Sequence, residues 1–186
     1  MALLKNGSKG DAVTQLQNDL NTLGFTIGAD GMFGPNTLSA VEQLQWMFGY
    51  TVDGLVGDGT QGLISSQVKN GWNAGTRDGI INALKAQGKT TDKGAVEGIP
   101  LKRTLKAGVE GSDVAYTQRR IRALGFDCPL TATFDAGTEA AVKEVQTAFG
   151  YDVDGAVGPA THALINAKLG YGWSKDDAAK EAAPSK

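Results

Sequence analysis

The sequence predicts an all-α protein built from two small three-helix bundles joined by a helix and a linker. Three observations predict it. First, one module occurs twice: residues 4–72 align with residues 105–173 at a constant offset of 101, without a gap, and 27 of 69 aligned positions are identical. Second, apolar residues inside each copy recur at three- and four-residue steps, the period of a helix with one buried face. Third, glycine or proline stands at the ends of these runs, where a helix starts or stops.

In copy one, Asp11 caps a helix whose inward positions are Val13, Leu16, Leu20 and Leu23, and Gly24 ends it. The second helix opens at Gly34-Pro35, because a proline in the first turn loses no hydrogen bond. Its stripe is Leu38, Val41, Leu44 and Phe48, and Gly49 stops it. The third starts near Asp58, carries Leu63, Ile64 and Val68, and stops at Gly71. Copy two repeats the plan from Ser112 or Asp113 (Val114, Ile121, Leu124), from Asp135 (Ala141, Val142, Val145, Phe149) and from Gly158-Pro159 (Leu164, Ile165, Leu169). Phe25-Thr26-Ile27 and Tyr50-Thr51-Val52 are extended pieces that pair as small strands at most. The predicted organisation is therefore repeat one at 1–73, a connection at 74–104, repeat two at 105–173 and a polar tail at 174–186. Within the connection, 76–87 reads as a helix with Ile80, Ile81 and Leu84 apolar, and 89–103 as a linker.

Bulk properties narrow the function. Each copy is close to the lower size limit for an independent core. The chain is 41% hydrophobic and 20% charged, with a net charge of −2. No segment is strongly basic, which excludes nucleic acid as the main partner, since phosphate binding needs a basic face. Cys128 is the single cysteine, so an intrachain disulfide is impossible. No apolar run suits a signal peptide or a membrane span.

The spaced residues also carry a resemblance. Leu4-Lys5-x-Gly7-x-x-Gly10-x-x-Val13-x-x-Leu16-Gln17 is followed by Leu23-Gly24-Phe25, Asp30-Gly31-x-Phe33-Gly34-Pro35-x-Thr37, Val41-x-x-x-Gln45 and Val52-Asp53-Gly54-x-Val56-Gly57-x-x-Thr60. This order resembles the peptidoglycan-binding domain family, the three-helix cell-wall module attached to many wall hydrolases, including phage endolysins. The resemblance implies non-covalent binding of murein, no catalysis by the module and no cofactor. It also implies action at the bacterial cell wall, or within a phage particle, by a chain made in the cytoplasm without a signal peptide. Expected partners are peptidoglycan and, beyond it, phage structural proteins or a separate wall hydrolase, with no nucleic acid and no membrane. The alternative is a structural subunit of a phage particle or tail that uses the modules for protein contacts.

Candidate ligand-binding residues are Asp30, Gly31, Phe33, Gln45, Trp46, Tyr50 and Asp53 in copy one, and Gln146, Tyr151 and Asp154 in copy two. Two readings stand side by side. Asp-Gly pairs build turns by bonding their own backbone, and a partly buried Gln satisfies loop groups. Equally, these turns with the tyrosines edge a shallow groove that offers carboxylate, amide and aromatic partners to a saccharide-peptide ligand. Trp72 and Trp173, at the same place in both copies, read as packing residues. Trp46 points away from its helix stripe, and either contacts a ligand or is covered by the connecting helix.

Copy two departs from the pattern. Its first turn is Thr131-Ala132-x-Phe134-Asp135-Ala136, and it gains Arg119, Arg120 and Arg122, which read as a solvated helix face. Catalysis is not expected. His162 is the only histidine, which excludes multi-histidine zinc sites. Cys128 precedes a proline without a nucleophile motif, and Asp152-x-Asp154-Gly155 lacks the later ligands of a calcium loop.

Overall fold

A computed structural model describes residues 2–74, 77–88 and 98–177. Seven named α-helices occur among them: α1 (Asp11–Thr22), α2 (Pro35–Met47), α3 (Asp58–Lys69), α4 (Arg77–Ala86), α5 (Ser112–Ala123), α6 (Ala136–Ala148) and α7 (Pro159–Tyr171). The chain divides into two compact units, Met1–Gly88 and Lys89–Lys186. In the first, α1 packs on α2 and α3; in the second, α5 packs on α6 and α7. The expected stripes form the cores. Val13, Leu16, Leu20, Leu23, Val41, Leu44 and Ile64 are buried in one bundle; Val114, Ile121, Leu124, Val142, Val145 and Ile165 in the other.

The helix starts need one correction. Asp11 is the first helical residue and not the cap; Gly10, at φ 110°, precedes it and makes no side-chain cap bond. Gly111 stands likewise before α5 at φ 143°. The reason is tertiary. Gly10 N–H donates to the Gly31 carbonyl at 2.9 Å, and Gly111 N–H to the Ala132 carbonyl at 2.9 Å, which fixes a backbone shape that glycine tolerates best. Asp135, by contrast, caps α6 by accepting from Thr138 N–H at 2.8 Å.

The extended pieces at 25–27 and 50–52 form no strands. Pairing falls instead to the N-terminal segment of each repeat. Leu4 and Val56 exchange two backbone hydrogen bonds (3.1 and 2.9 Å), and Phe33 N–H donates to the Ser8 carbonyl (2.9 Å). Isolated antiparallel bridges at Leu4–Val56 and Lys9–Met32 recur as Leu105–Val157 and Glu110–Thr133. One segment thus ties together both turns of a repeat.

Both tryptophans pack as expected. Trp72 meets Phe48 edge-on with ring centres 5.0 Å apart, and Trp173 lies 4.0 Å from Phe149. Trp72 also donates its indole N–H to the Gly79 carbonyl at the start of α4 (2.9 Å).

The connecting helix is present as α4 and packs on α2, with Ile80, Ala83 and Leu84 buried. On α2, Ser39, Gln43 and Met47 are buried and Trp46 is half-buried. The same positions on α6 carry Ala140, Glu144, Thr147 and Ala148, all exposed. Of the expected linker, 89–97 lies outside the described residues, and Gly98–Arg103 is irregular. The tail turns helical at Lys175, with Asp177 Oδ2 accepting from Ser174 N–H and Oγ (2.9 Å each); residues 178–186 lie outside the description.

Candidate functional site

The site is built on a buried glutamine. Gln17 projects inward from α1. Its Oε1 accepts from Gly31 N–H (2.8 Å), and its Nε2 donates to Asp30 Oδ1 (2.9 Å), the Met32 carbonyl (3.0 Å) and Thr37 Oγ1 (3.1 Å). Gln45 on α2 repeats this on the next turn. Its Oε1 accepts from Gly54 N–H (2.9 Å), and its Nε2 reaches Asp53 Oδ1 (2.8 Å), the Leu55 carbonyl (3.0 Å) and Thr60 Oγ1 (3.3 Å). Gln146 makes the same set with Gly155, Asp154, Ala156 and Thr161. Gln118 does so with Ala132, Thr131, Thr133 and Thr138. The chain therefore holds four equivalent clasps, two per repeat.

The sequence reading missed this second level of repetition, although the signal is visible. Asp30-Gly31-x-Phe33-Gly34-x-x-Thr37 and Asp53-Gly54-x-Val56-Gly57-x-x-Thr60 are one motif at an offset of 23, each preceded by a helical Gln. Thr37, Thr60, Thr138 and Thr161 are buried members of the clasps that sequence reasoning did not single out.

Each Asp uses one carboxylate oxygen twice. Asp53 Oδ1 accepts from Gln45 and from Leu55 N–H (2.9 Å), and Asp154 Oδ1 from Gln146 and Ala156 N–H (2.8 Å). Hydrogen bonding favours the ionised form. The amide of Gln17 and the N–H of Met32 hold the Asp30 carboxyl below its ordinary pKa; the Ala156 N–H and Gln146 do so for Asp154.

The fourth clasp shows how a repeat departs from the motif without losing the geometry. Ala132 keeps φ +60°, a left-handed shape costly for a residue with a Cβ. A Cβ at the equivalent Gly31 would lie 2.9 Å from Thr14 Oγ1. The counterpart of Thr14 is Ala115, which has no hydroxyl, so the space for Ala132 comes from a second difference between the copies. Thr131 stands in for the Asp and donates to Asp135 Oδ2 (3.0 Å).

The proposed contact residues divide into two layers. Phe33, Gln45 and Gln146 are each 1% exposed, and Gly31 is buried as well. Their expected place on the groove surface is corrected: a side chain without accessible area supports the turn from beneath. Asp30, Asp53, Asp154, Tyr50 and Tyr151 lie at the surface, and the tyrosines are 44% and 43% exposed. Val52 and Val153 are exposed beside them. A Cβ on Gly59 would sit 4.0 Å from the Tyr50 ring, so the ring lies over the start of α3. Leu3 is exposed and flanks Gly57 on the same side. Trp46 is half-buried on α2, the helix that α4 covers.

The arginines are also corrected. Arg122 is exposed, but Arg120 is buried and stacks on Tyr116, with its guanidinium 4.7 Å from the ring centre. Cys128 is buried, and burial with the nearby Asp135 pushes its thiol up to about 12, away from nucleophile chemistry. Among the described residues, no group of three His, Cys, Asp or Glu side chains is placed to hold a metal ion. No described helix is long and apolar enough to cross a membrane.

The profile of the family described as "Putative peptidoglycan binding domain" matches residues 9–64 and again residues 110–165, more than half of the chain. The chain belongs to this peptidoglycan-binding domain family. Its two family domains coincide with the two bundles, and each match contains both clasps of its repeat. A "Probable N-acetylmuramoyl-L-alanine amidase" of Bacillus licheniformis is 29% identical over 174 residues, covering 88% of this chain and 44% of that protein. A "Spore cortex-lytic enzyme" of Halalkalibacterium halodurans is 33% identical over 111 residues, covering 59% of this chain and 31% of that one. Among solved structures, a fused zinc-dependent amidase/peptidase/peptidoglycan-binding protein of Clostridium acetobutylicum shares 41% identity over 34% of this chain and 28% of its own, with a TM-score of 0.34. The chain spans less than half the length of these relatives.

Proposed function

We propose that the chain acts as a non-catalytic, two-site binder of cell-wall peptidoglycan. In this reading the contact surface of each repeat is the ridge around its second Asp-Gly turn: Tyr50, Val52 and Asp53 in one, Tyr151, Val153 and Asp154 in the other. The observation that carries it is that an exposed tyrosine, valine and carboxylate recur at this turn in both repeats. Packing accounts for the shared glycines, phenylalanines and tryptophans, but it does not require an aromatic ring in water. An aromatic face beside a fixed carboxylate suits a sugar carrying a peptide, which presents C–H faces, amides and hydroxyls. The clasp supplies preorganisation, because the buried amide fixes the turn before ligand arrives. Two such surfaces in one chain raise avidity wherever the wall offers both at once.

The relatives reported above are named as an amidase and a cortex-lytic enzyme, and that supports a part in targeting for this chain. Co-sedimentation of the purified chain with insoluble murein sacculi tests the reading. Wild type is expected in the pellet, and the double variant Tyr50→Ala/Tyr151→Ala in the supernatant. Wild type remaining in the supernatant at low and moderate salt would sink peptidoglycan binding and favour a structural role in a phage assembly. Clearing of a murein zymogram would sink the non-catalytic part.

A further inference from the structure

Repeat two contains a polar cluster that repeat one lacks. Tyr116 and Arg120 lie one turn apart on α5, and His162 and Asn166 one turn apart on α7. At the same positions repeat one has Gln15, Asp19, Gln61 and Ser65. Tyr116 is buried; its hydroxyl accepts from Ile99 N–H (3.1 Å) and donates to Asn166 Oδ1 (3.3 Å). Asn166 Nδ2 donates to the His162 carbonyl (3.0 Å), and the His162 ring centre is 6.1 Å from that of Tyr116. The segment Gly98–Arg103 crosses this face. Gly98 sits so close to Asn166 that a Cβ would collide with it, and Arg103 is bound to Asp113 at 2.8 and 2.9 Å.

The anomaly is Arg120. It is 4% exposed, and its buried Nη1 has no hydrogen-bond partner among the described residues. A stacked tyrosine ring partly compensates a buried cation, but an unpaired buried guanidinium N–H is costly. Buried polar groups in native proteins are almost always satisfied, by protein, water or a bound ion.

We propose that Arg120 receives a carboxylate at the edge of the Gly98–Ile99 segment, making the α5/α7 face of repeat two a carboxylate-reading site distinct from the tyrosine ridge. One orphan NH2 group, with two N–H donors on a planar cation, suits a planar, singly charged anion better than a tetrahedral dianion, which needs more donors. Gly98 and Ile99 are half-buried at the surface, and the Ile99 bond to Tyr116 is a single contact for an entering group to displace. The free carboxylates of a peptidoglycan stem peptide offer this chemistry. That source rests on the peptidoglycan reading; the site itself does not.

His162, the chain's single histidine, gives one imidazole signal and stands beside the site. The groups facing it are Tyr116 and Arg120 on α5, Asn166 on its own helix and the Ile99 backbone carbonyl, which favours the charged ring. Burial and the Arg120 charge hold its pKa down to about 4. The test is a proton NMR titration of the full chain with sodium acetate, D-Ala-D-Ala and inorganic phosphate at constant ionic strength. Acetate and the dipeptide are expected to shift the His162 signal saturably at millimolar concentration and to raise its apparent pKa, because a bound carboxylate offsets the Arg120 charge. Arg120→Gln should abolish the response and Arg120→Lys weaken it, while Tyr50→Ala leaves it unchanged. No saturable shift in wild type, or a response to phosphate alone, overturns the proposal without needing any Arg120 variant to fold. Sacculus binding with no His162 response removes this site and leaves the ridge; the reverse result does the opposite.

Discussion

Gln45→Glu reverses the polarity of one clasp while keeping its shape. In the protein Gln45 Nε2 donates to Asp53 Oδ1 at 2.8 Å and to the Leu55 carbonyl at 3.0 Å. An ionised Glu places an oxygen there, facing two acceptors. Two unit charges about 4 Å apart interact by about 4 kcal/mol at an effective dielectric near 20, but Asp53 is exposed and solvent screening cuts that to about 1 kcal/mol, while the lost charge-assisted bond adds about 1.5–3 kcal/mol. The introduced carboxyl has a cheaper course: it protonates and donates as the amide did. A penalty of about 3 kcal/mol corresponds to a rise of roughly two pKa units, from about 4.3 to about 6.5. Because the folded-state pKa is raised, the variant is close to wild type below about pH 4.3. Its deficit grows as pH rises to about 6.5 and is constant above. The assay is urea denaturation from pH 4.5 to 8, with NMR signals from each repeat followed separately. Gln45→Ala is the control: it leaves the buried Gly54 N–H unpaired at every pH and costs about 2–4 kcal/mol without that slope. A Gln45→Glu deficit that does not change with pH, or one below about 1 kcal/mol at pH 7, would refute the view that the amide N–H to Asp53 holds the turn.

Two further outcomes follow from differences between the copies. Gly31→Ala should cost about 2 kcal/mol or more, from positive φ plus collision with Thr14, and Thr14→Ala should recover part of it; Ala132→Gly should gain up to about 1 kcal/mol. Equal costs of Gly31→Ala with and without Thr14→Ala would show that the hydroxyl is irrelevant. His162, whose folded pKa is lowered to about 4, favours the neutral ring, so the second bundle should lose stability as pH falls from about 6.5 towards 4. Urea midpoints at pH 7 and 4.5 check this, and His162→Gln should remove that part of the slope. The depressed Asp30 and Asp154 act only lower, where stability falls as pH drops through their folded pKa values.

The helices were legible because their signal is local. Val13, Leu16, Leu20 and Leu23 announce a face through spacing alone, and Gly34-Pro35 marks where α2 starts. Pairing of Leu4 with Val56 was not legible, since those residues are far apart in sequence and a single bridge leaves no periodicity. Trp46 shows the middle case. Its direction from the stripe was readable, but the partner of α2 became known only with α4 in place. Arg120 shows the limit: a charged residue on a helix is ordinarily solvated, yet Arg120 is buried against Tyr116 on the helix that packs on α7.

By itself the sequence determined the two modules, their helix stripes, the stopping glycines and the resemblance that fixes the family. These follow from hydrophobic period and turn chemistry, which act over a few residues. The tertiary structure alone decided which layer each candidate occupies. Gln45 and Phe33 face inward and Tyr50 outward because a buried amide must find partners, and the Asp-Gly turn brings four groups within its reach. It also decided that the copies differ in kind, with a buried cation beside Tyr116 in one and none at the equivalent position in the other. Burial depends on what the rest of the chain covers, and no local pattern records that.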